Sequence, residues 1–173
     1  SLEQAVSHSF AVRDTLLYHI IRAKVLLASE ELEEAVKVLD SAMALPGVKG
    51  EVRGAAAKPG KKQVVVSMNE RATVYLLLAE AHSRLGHVPE ASKTIQDALN
   101  QFTGTAEEVR VAVANSDLAL ARGDVEAALG MMRAVPKDSP HFLKAKMAMA
   151  DIYLKSRNDK VMYAKCYLEL VEK

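Results

Sequence analysis

Side chains of methyl or hydroxymethyl size return at two fixed intervals, and this recurrence limits the folds open to the chain. Ala23 and Ala35, Ala79 and Ala91, and Ser116 and Ala128 each lie 12 residues apart, and Ala150 follows Ala128 by 22, completing a period of 34. A repeat of that length marks stacked supersecondary units, each too small to bury its own apolar face. Twelve residues are enough to end one helix, turn and begin a second. Small residues where the two cross let their backbones approach closely.

Larger residues complete the pattern. The clearest copy has Tyr75, Leu78, Ala79 and His82 on its first helix (A), then Gly86, then Ala91, Ile95 and Ala98 on its second (B). His82 is expected to pack and hydrogen-bond within the fold. An earlier copy has Ala23 and Leu26, then Ala35, Leu39 and Ala42, ending at Pro46-Gly47. A third has Ser116, Ala119, Gly123, Ala128, Met132 and Val135 and closes on Pro140. The fourth has Ala150 and Tyr153, with Ala164 and Leu168 on its B helix if the turn through Asn158-Asp159 is about two residues longer than the others. The spacing predicts repeats over about 13–46, 69–103, 106–139 and 140–173, preceded at 2–12 by a partial copy, an orphan B helix. Ser67 with Glu70 and Thr105 with Glu108 read as capping boxes, and Ser139-Pro140 as an N-cap followed by proline at the first helical position.

These positions of small and large residues resemble the tetratricopeptide repeat. The resemblance implies an all-α protein, a right-handed superhelical solenoid of antiparallel helix pairs in one array over 1–173. Its A helices would form most of a concave wall, through their second, fifth, ninth and twelfth positions. Those are Leu17, Ile20, Lys24 and Leu27; Thr73, Leu76, Glu80 and Ser83; Arg110, Val113, Asp117 and Leu120; and Lys144, Met147, Asp151 and Leu154. An apolar residue fills the fifth position each time, beside Glu80, Asp117 and Asp151. That makes a greasy groove with an acidic edge, suited to an apolar or amphipathic segment carrying basic residues and hostile to a terminal carboxylate. The same wall could instead pack on neighbouring turns or subunits.

One stretch breaks the period. Ala35 to Ala91 spans 56 residues where 34 are due, and the surplus, 47–66, is rich in Gly, Ala and Lys. It has little to bury, so a flexible basic loop is expected, with docking to an acidic surface as the alternative.

No catalytic, cofactor or metal site is expected. Five residues separate Gly54 from Gly60, and Lys61-Lys62 follows, so the Gly-rich phosphate loop, which needs four and then Lys-Ser/Thr, is not met. His8, His19, His82, His87 and His141 lack metal-ligand spacing. The cluster Glu30, Glu31, Glu33 and Glu34 reads as a wetted first turn favoured by the helix dipole. The formal charge of +1 gives no field to draw in nucleic acid or anionic lipid, so protein partners are expected. Cys166 is the only cysteine, which suits a reducing compartment. The first residues read as the middle of a helix, as in a piece of a longer protein.

Further residues narrow the resemblance. Val12-Arg13 with Tyr18-His19 and Arg22-Ala23, Ala42-Met43-Ala44-Leu45-Pro46-Gly47, the run EEVRVAVANSDLALARGDVEAAL from Glu107 to Leu129, and Met149 to Lys155 are similar to the tetratricopeptide repeat protein 21 family. That family is the large repeat subunit of intraflagellar transport complex A. The resemblance implies a non-enzymatic scaffold, without cofactors, that binds the other subunits of the complex. It implies action in retrograde ciliary transport and ciliary cargo entry, at the cilium or flagellum, basal body and cytoplasm. A free-standing adaptor that captures a linear peptide in its groove is the alternative, and a nucleic-acid or microtubule binder acting through the inserted loop is a third reading.

Overall fold

The computed structural model describes residues 2–49 and 66–172, with side chains described from residue 15. These residues form eight helices and no strand: α1 (Leu2–Ala28), α2 (Leu32–Met43), α3 (Met68–Arg84), α4 (Val88–Phe102), α5 (Glu108–Ala121), α6 (Val125–Arg133), α7 (Phe142–Arg157) and α8 (Lys160–Val171). Consecutive helices pack in pairs, α1 on α2, α3 on α4, α5 on α6 and α7 on α8, and the pairs stack through α2 on α3 and α6 on α7. This is a helical repeat solenoid. It divides into two compact units, Ser1–Thr103 and Gly104–Lys173. Among the described residues no helix is long and apolar enough to cross a membrane.

Each A helix reverses into its B helix through one residue of positive φ: Glu30 (61°), Gly86 (80°), Gly123 (81°) and Asn158 (50°). Glycine meets this demand without a Cβ penalty, whereas at Glu30 the turn is closed by Glu31 N donating to the Leu26 carbonyl (2.9 Å), with the Glu30 carboxylate paired to Arg84. The crossings are tight where the period puts small residues. Ala23, Ala35, Ala91, Ala128 and Ala150 have no exposed surface, and Ala79 only 5%. Ser116 Oγ donates to the carbonyl of Ala128, 3.3 Å away, so the hydroxyl buried at that crossing is satisfied.

The core of the first unit gathers Leu16, Ile20, Ala23 and Leu27 of α1, Ala35, Leu39 and Ala42 of α2, and Val74, Leu78 and Ala81 of α3. Val48 belongs to it as well, fully buried, and Val66 packs partly buried against it. The ends of the inserted stretch are therefore core residues, against the expectation that 47–66 has little to bury. Arg71 holds that join: its Nε donates to the carbonyl of Val48 (2.9 Å) and its Nη2 to Gln101 Oε1 (2.9 Å). The flexible loop itself falls on residues 50–65, outside the described residues. The core of the second unit joins Ala119 of α5, Ala128, Leu129 and Met132 of α6, Ala145, Met149, Ala150, Ile152 and Tyr153 of α7, and Cys166 of α8.

Several local expectations are corrected. α1 runs unbroken from Leu2 to Ala28, so the partial repeat at 2–12 continues the first A helix and is not a separate B helix. Ser67 Oγ does accept from Glu70 N (3.1 Å), but Glu70 Oε2 is buried without a partner, leaving that capping box half made. Thr105 and Ser139 are not the N-caps of α5 and α7, which are Glu107 and His141. Their hydroxyls accept from the amides two residues on, Glu107 N (3.3 Å) and His141 N (3.2 Å), forming turns that delay α5 to Glu108 and α7 to Phe142.

The last B helix departs most. Asp124 caps α6 eight residues after Ser116, whereas Asp159 caps α8 nine residues after Ala150, so the turn gains one residue and not two. The helix is rotated accordingly. Met162, Tyr163 and Cys166 face the core, while Ala164 and Leu168, expected inside, face solvent.

Candidate protein-binding groove

The A-helix positions expected to line a groove do not share one fate, because two helical faces compete for them. In α1, Ile20 and Leu27 are each only 5% exposed and belong to the core, so neither can meet a ligand. The stripe rotated toward α2 and α3 is Leu16, Ile20, Ala23 and Leu27. That leaves Leu17 and Lys24 exposed. In α3, Leu76 is half-buried and Glu80 exposed, but Glu80 sits 3.6 Å from Arg84, which also pairs with Glu30 and donates to the Leu27 carbonyl at 3.2 Å. The acidic edge of the first unit is thus largely neutralised from within.

The second unit keeps the expected character. On α5, Val113 and Leu120 are half-buried against the core and Asp117 is exposed. On α7, Leu143 (56%), Met147 (46%) and Leu154 (37%) present an apolar strip at helical spacing. Asp151 stands within the strip, its one ion-pair partner among the described residues being Lys155 at 4.0 Å, both side chains well exposed, a pair worth little in water. Arg110 is held by Glu107 (2.8 Å). An apolar strip with a carboxylate within it can receive an amphipathic segment whose basic residues meet Asp151. In the second unit the exposed apolar surface among the predicted wall positions lies on α7.

His82 also differs from expectation. Its Nδ1 is buried with no hydrogen-bond partner among the described residues, and its ring leans on His87 with centroids 5.7 Å apart. It lies in a cleft of about 400 Å³ between α2 and α4, with Tyr75 and Leu78 beside it and Asp40, Glu90 and Asp97 around it. Burial raises the Tyr75 hydroxyl above its ordinary 10.0, an effect to which Asp97 adds and which Arg71 opposes. Among the described residues no three His, Cys, Asp or Glu side chains converge as metal ligands would.

Helices paired through methyl-sized crossings, with their A faces partly open, describe a repeat class rather than a particular lineage. The lineage is decided by comparison: the family described as the tetratricopeptide repeat protein 21 ARM repeat matches residues 10–170. The chain belongs to the tetratricopeptide repeat protein 21 family. It is 44% identical over 173 residues to tetratricopeptide repeat protein 21B of Homo sapiens, covering 100% of this chain and 13% of that protein. It is 47% identical over 174 residues to tetratricopeptide repeat protein 21B of Xenopus laevis (99% and 13%). A tetratricopeptide repeat protein 21 homolog of Caenorhabditis elegans is 30% identical over 172 residues (99% and 12%). The chain thus spans 13% or less of the length of these relatives. Membership of the tetratricopeptide repeat protein 21 family makes it a repeat scaffold, of a kind that is generally non-catalytic.

Proposed function

We propose that the chain is a segment of an intraflagellar transport complex A subunit that holds other subunits of that complex and acts in retrograde ciliary transport and ciliary cargo entry, at the cilium or flagellum, basal body and cytoplasm. Family membership supports the scaffold role. The observation that carries the binding role is the α7 strip: Met147 and Leu154 are exposed on either side of Asp151, while Ala145, Met149, Ala150, Ile152 and Tyr153 of that helix are spent on the core. A protein interface needs a desolvated apolar centre with charge at its rim, and this strip supplies both.

Met147→Arg with Leu154→Arg leaves the core intact and places two cations in the strip. With reconstituted complex A subunits, the unaltered chain is expected to be retained in pull-down and the double variant to lose at least about tenfold in affinity. Retention of both to the same degree would remove the strip from the binding surface, and no retention of either would remove the complex. Binding of a short peptide at the strip without any complex A subunit would favour the adaptor reading, in which a linear segment occupies the same face.

A further inference from the structure

The first unit carries a cleft of about 400 Å³ at the junction of its two repeats. α3 forms the floor, and α2 and α4 form the sides. Tyr75, Leu78 and His82 stand on successive turns of α3, Asp40 comes from α2, and Glu90 and Asp97 come from α4. The floor holds unmet hydrogen-bonding capacity. Tyr75 is only 4% exposed and its hydroxyl has no partner among the described residues, and the same is true of the buried His82 Nδ1. The three carboxylates are also unpaired among the described residues: Lys49 and Lys93 line the cleft, but neither comes within ion-pair distance of them.

The second unit has the same junction, built from α6, α7 and α8, and there the corresponding groups are satisfied. Counting from the N-caps of the B helices, Asp40 corresponds to Arg133 and Asp97 to Glu169. Counting from the crossing residues Ala79 and Ala150, Tyr75 corresponds to Lys146 and His82 to Tyr153. Lys146 pairs with Glu169, and Arg133 Nη2 donates to the Tyr153 hydroxyl at 2.9 Å. Two cations of the chain itself therefore fill this place, one on the carboxylate of the B helix and one on the polar group of the A helix. The first unit has Tyr75 and Asp40 where those cations stand, so Asp97 and His82 are left without either partner. Arg71, one turn before Tyr75, does not substitute, being held by the Val48 carbonyl and Gln101.

We propose that the cleft between α2 and α4 receives an arginine side chain of another protein. Three carboxylates against two lysines leave one negative charge over, which a single guanidinium neutralises. A guanidinium is always charged and carries five N–H donors on a flat, weakly hydrated frame. Its charge answers Asp40 and Asp97, its remaining donors answer the Tyr75 hydroxyl and His82 Nδ1, and its apolar stem lies on Leu78 and Met43. A lysine ammonium brings three donors on a compact head that holds its water strongly, so it forms fewer bonds for a larger desolvation cost. The unmet groups of the floor therefore select arginine. This site is separate from the α7 strip and does not depend on the role assigned to that strip.

The test uses the whole chain and three capped peptides, Gly-Ala-X-Ala-Gly, with arginine, lysine or citrulline at X, the last being the neutral counterpart of arginine. Saturable shifts of the Leu78 methyl and Tyr75 ring resonances are expected with the arginine peptide. The lysine peptide is expected to bind at least about tenfold more weakly, and the citrulline peptide not to saturate. Asp40→Asn with Asp97→Asn alters two exposed side chains, so the melting curve is expected to hold while affinity for the arginine peptide falls at least about tenfold. Asp97→Asn alone is the milder variant if the double change disturbs folding. Asp40→Arg installs the residue that α6 carries at the same place and is expected to abolish binding by filling the cleft from within. Equal binding of the arginine and citrulline peptides, no saturation with any peptide, or undiminished binding by a folded asparagine variant would overturn the proposal. Saturation that appears only after Arg53→Gln, Lys58→Gln, Lys61→Gln and Lys62→Gln are combined would overturn it too, by assigning the cleft to the chain's own basic stretch.

Discussion

Ala91 and Ala128 have no exposed surface, and each faces an A helix whose own crossing residue is Ala79 or Ser116. A branched side chain there has nowhere to go without parting the helices. Ala91→Leu and Ala128→Leu are each expected to lower stability by about 1–3 kcal/mol, whereas Ala121→Leu, on the exposed end of α5, should change it by less than about 0.5 kcal/mol. Chemical denaturation of the three variants checks the register, and equal midpoints would contradict it. Tyr163 shows the limit of the rule. It occupies the fourth B-helix counterpart of Ala128, half-buried, with its ring 5.1 Å from that of Tyr167, so the last pair accommodates an aromatic ring at that position. His82 was legible as part of helix A. Its unpaired nitrogen was not, because a missing partner is a property of neighbours far along the chain.

Between helices, the link from α7 to α8 depends on a charge pair as well as on packing. Lys146 lies between the ring of Phe142, 5.5 Å from its centroid, and the carboxylate of Glu169. The hydrogen bond from Lys146, against some opposing desolvation, holds the Glu169 carboxyl below its ordinary 4.5. A carboxyl whose folded pKa lies below its unfolded one adds stability at neutral pH and loses it as pH falls through the folded value. Glu169→Gln should therefore cost at most about 1 kcal/mol at neutral pH, and the difference from the unaltered chain should close in acid, once the pH has fallen below the folded value. Denaturant titrations at neutral and acid pH measure this, and a gap that persists in acid would show that the pair's charge is not its cause. Caps and turns belong to the same scale. Ser67 was readable because an N-cap acts within three residues, while Thr105 and Ser139 were misread because a hydroxyl can equally bond the amide two residues on.

At the scale of the chain, two units each hold a continuous core, one drawing mainly on α1 to α3 and the other on α5 to α8. In solenoids each repeat relies on its neighbours, so damage spreads first within its own unit. Ala128→Leu should speed amide exchange across 104–173 more than across 1–103, a difference that hydrogen-exchange mass spectrometry resolves and that uniform acceleration would refute. The sequence by itself determined the helix pairs, the small-residue crossings and the family, since these follow from spacing along the chain and from runs of residues read in order. It also located candidate A-helix faces, and Met147, Asp151 and Leu154 lie on one that is open. Only the tertiary structure decided that Ile20 and Leu27 are core, that Val48 is buried, and that α8 turns Leu168 outward. A helix offers several apolar stripes of nearly equal merit, and the added residue at Asn158 and the packing of neighbouring helices choose among them.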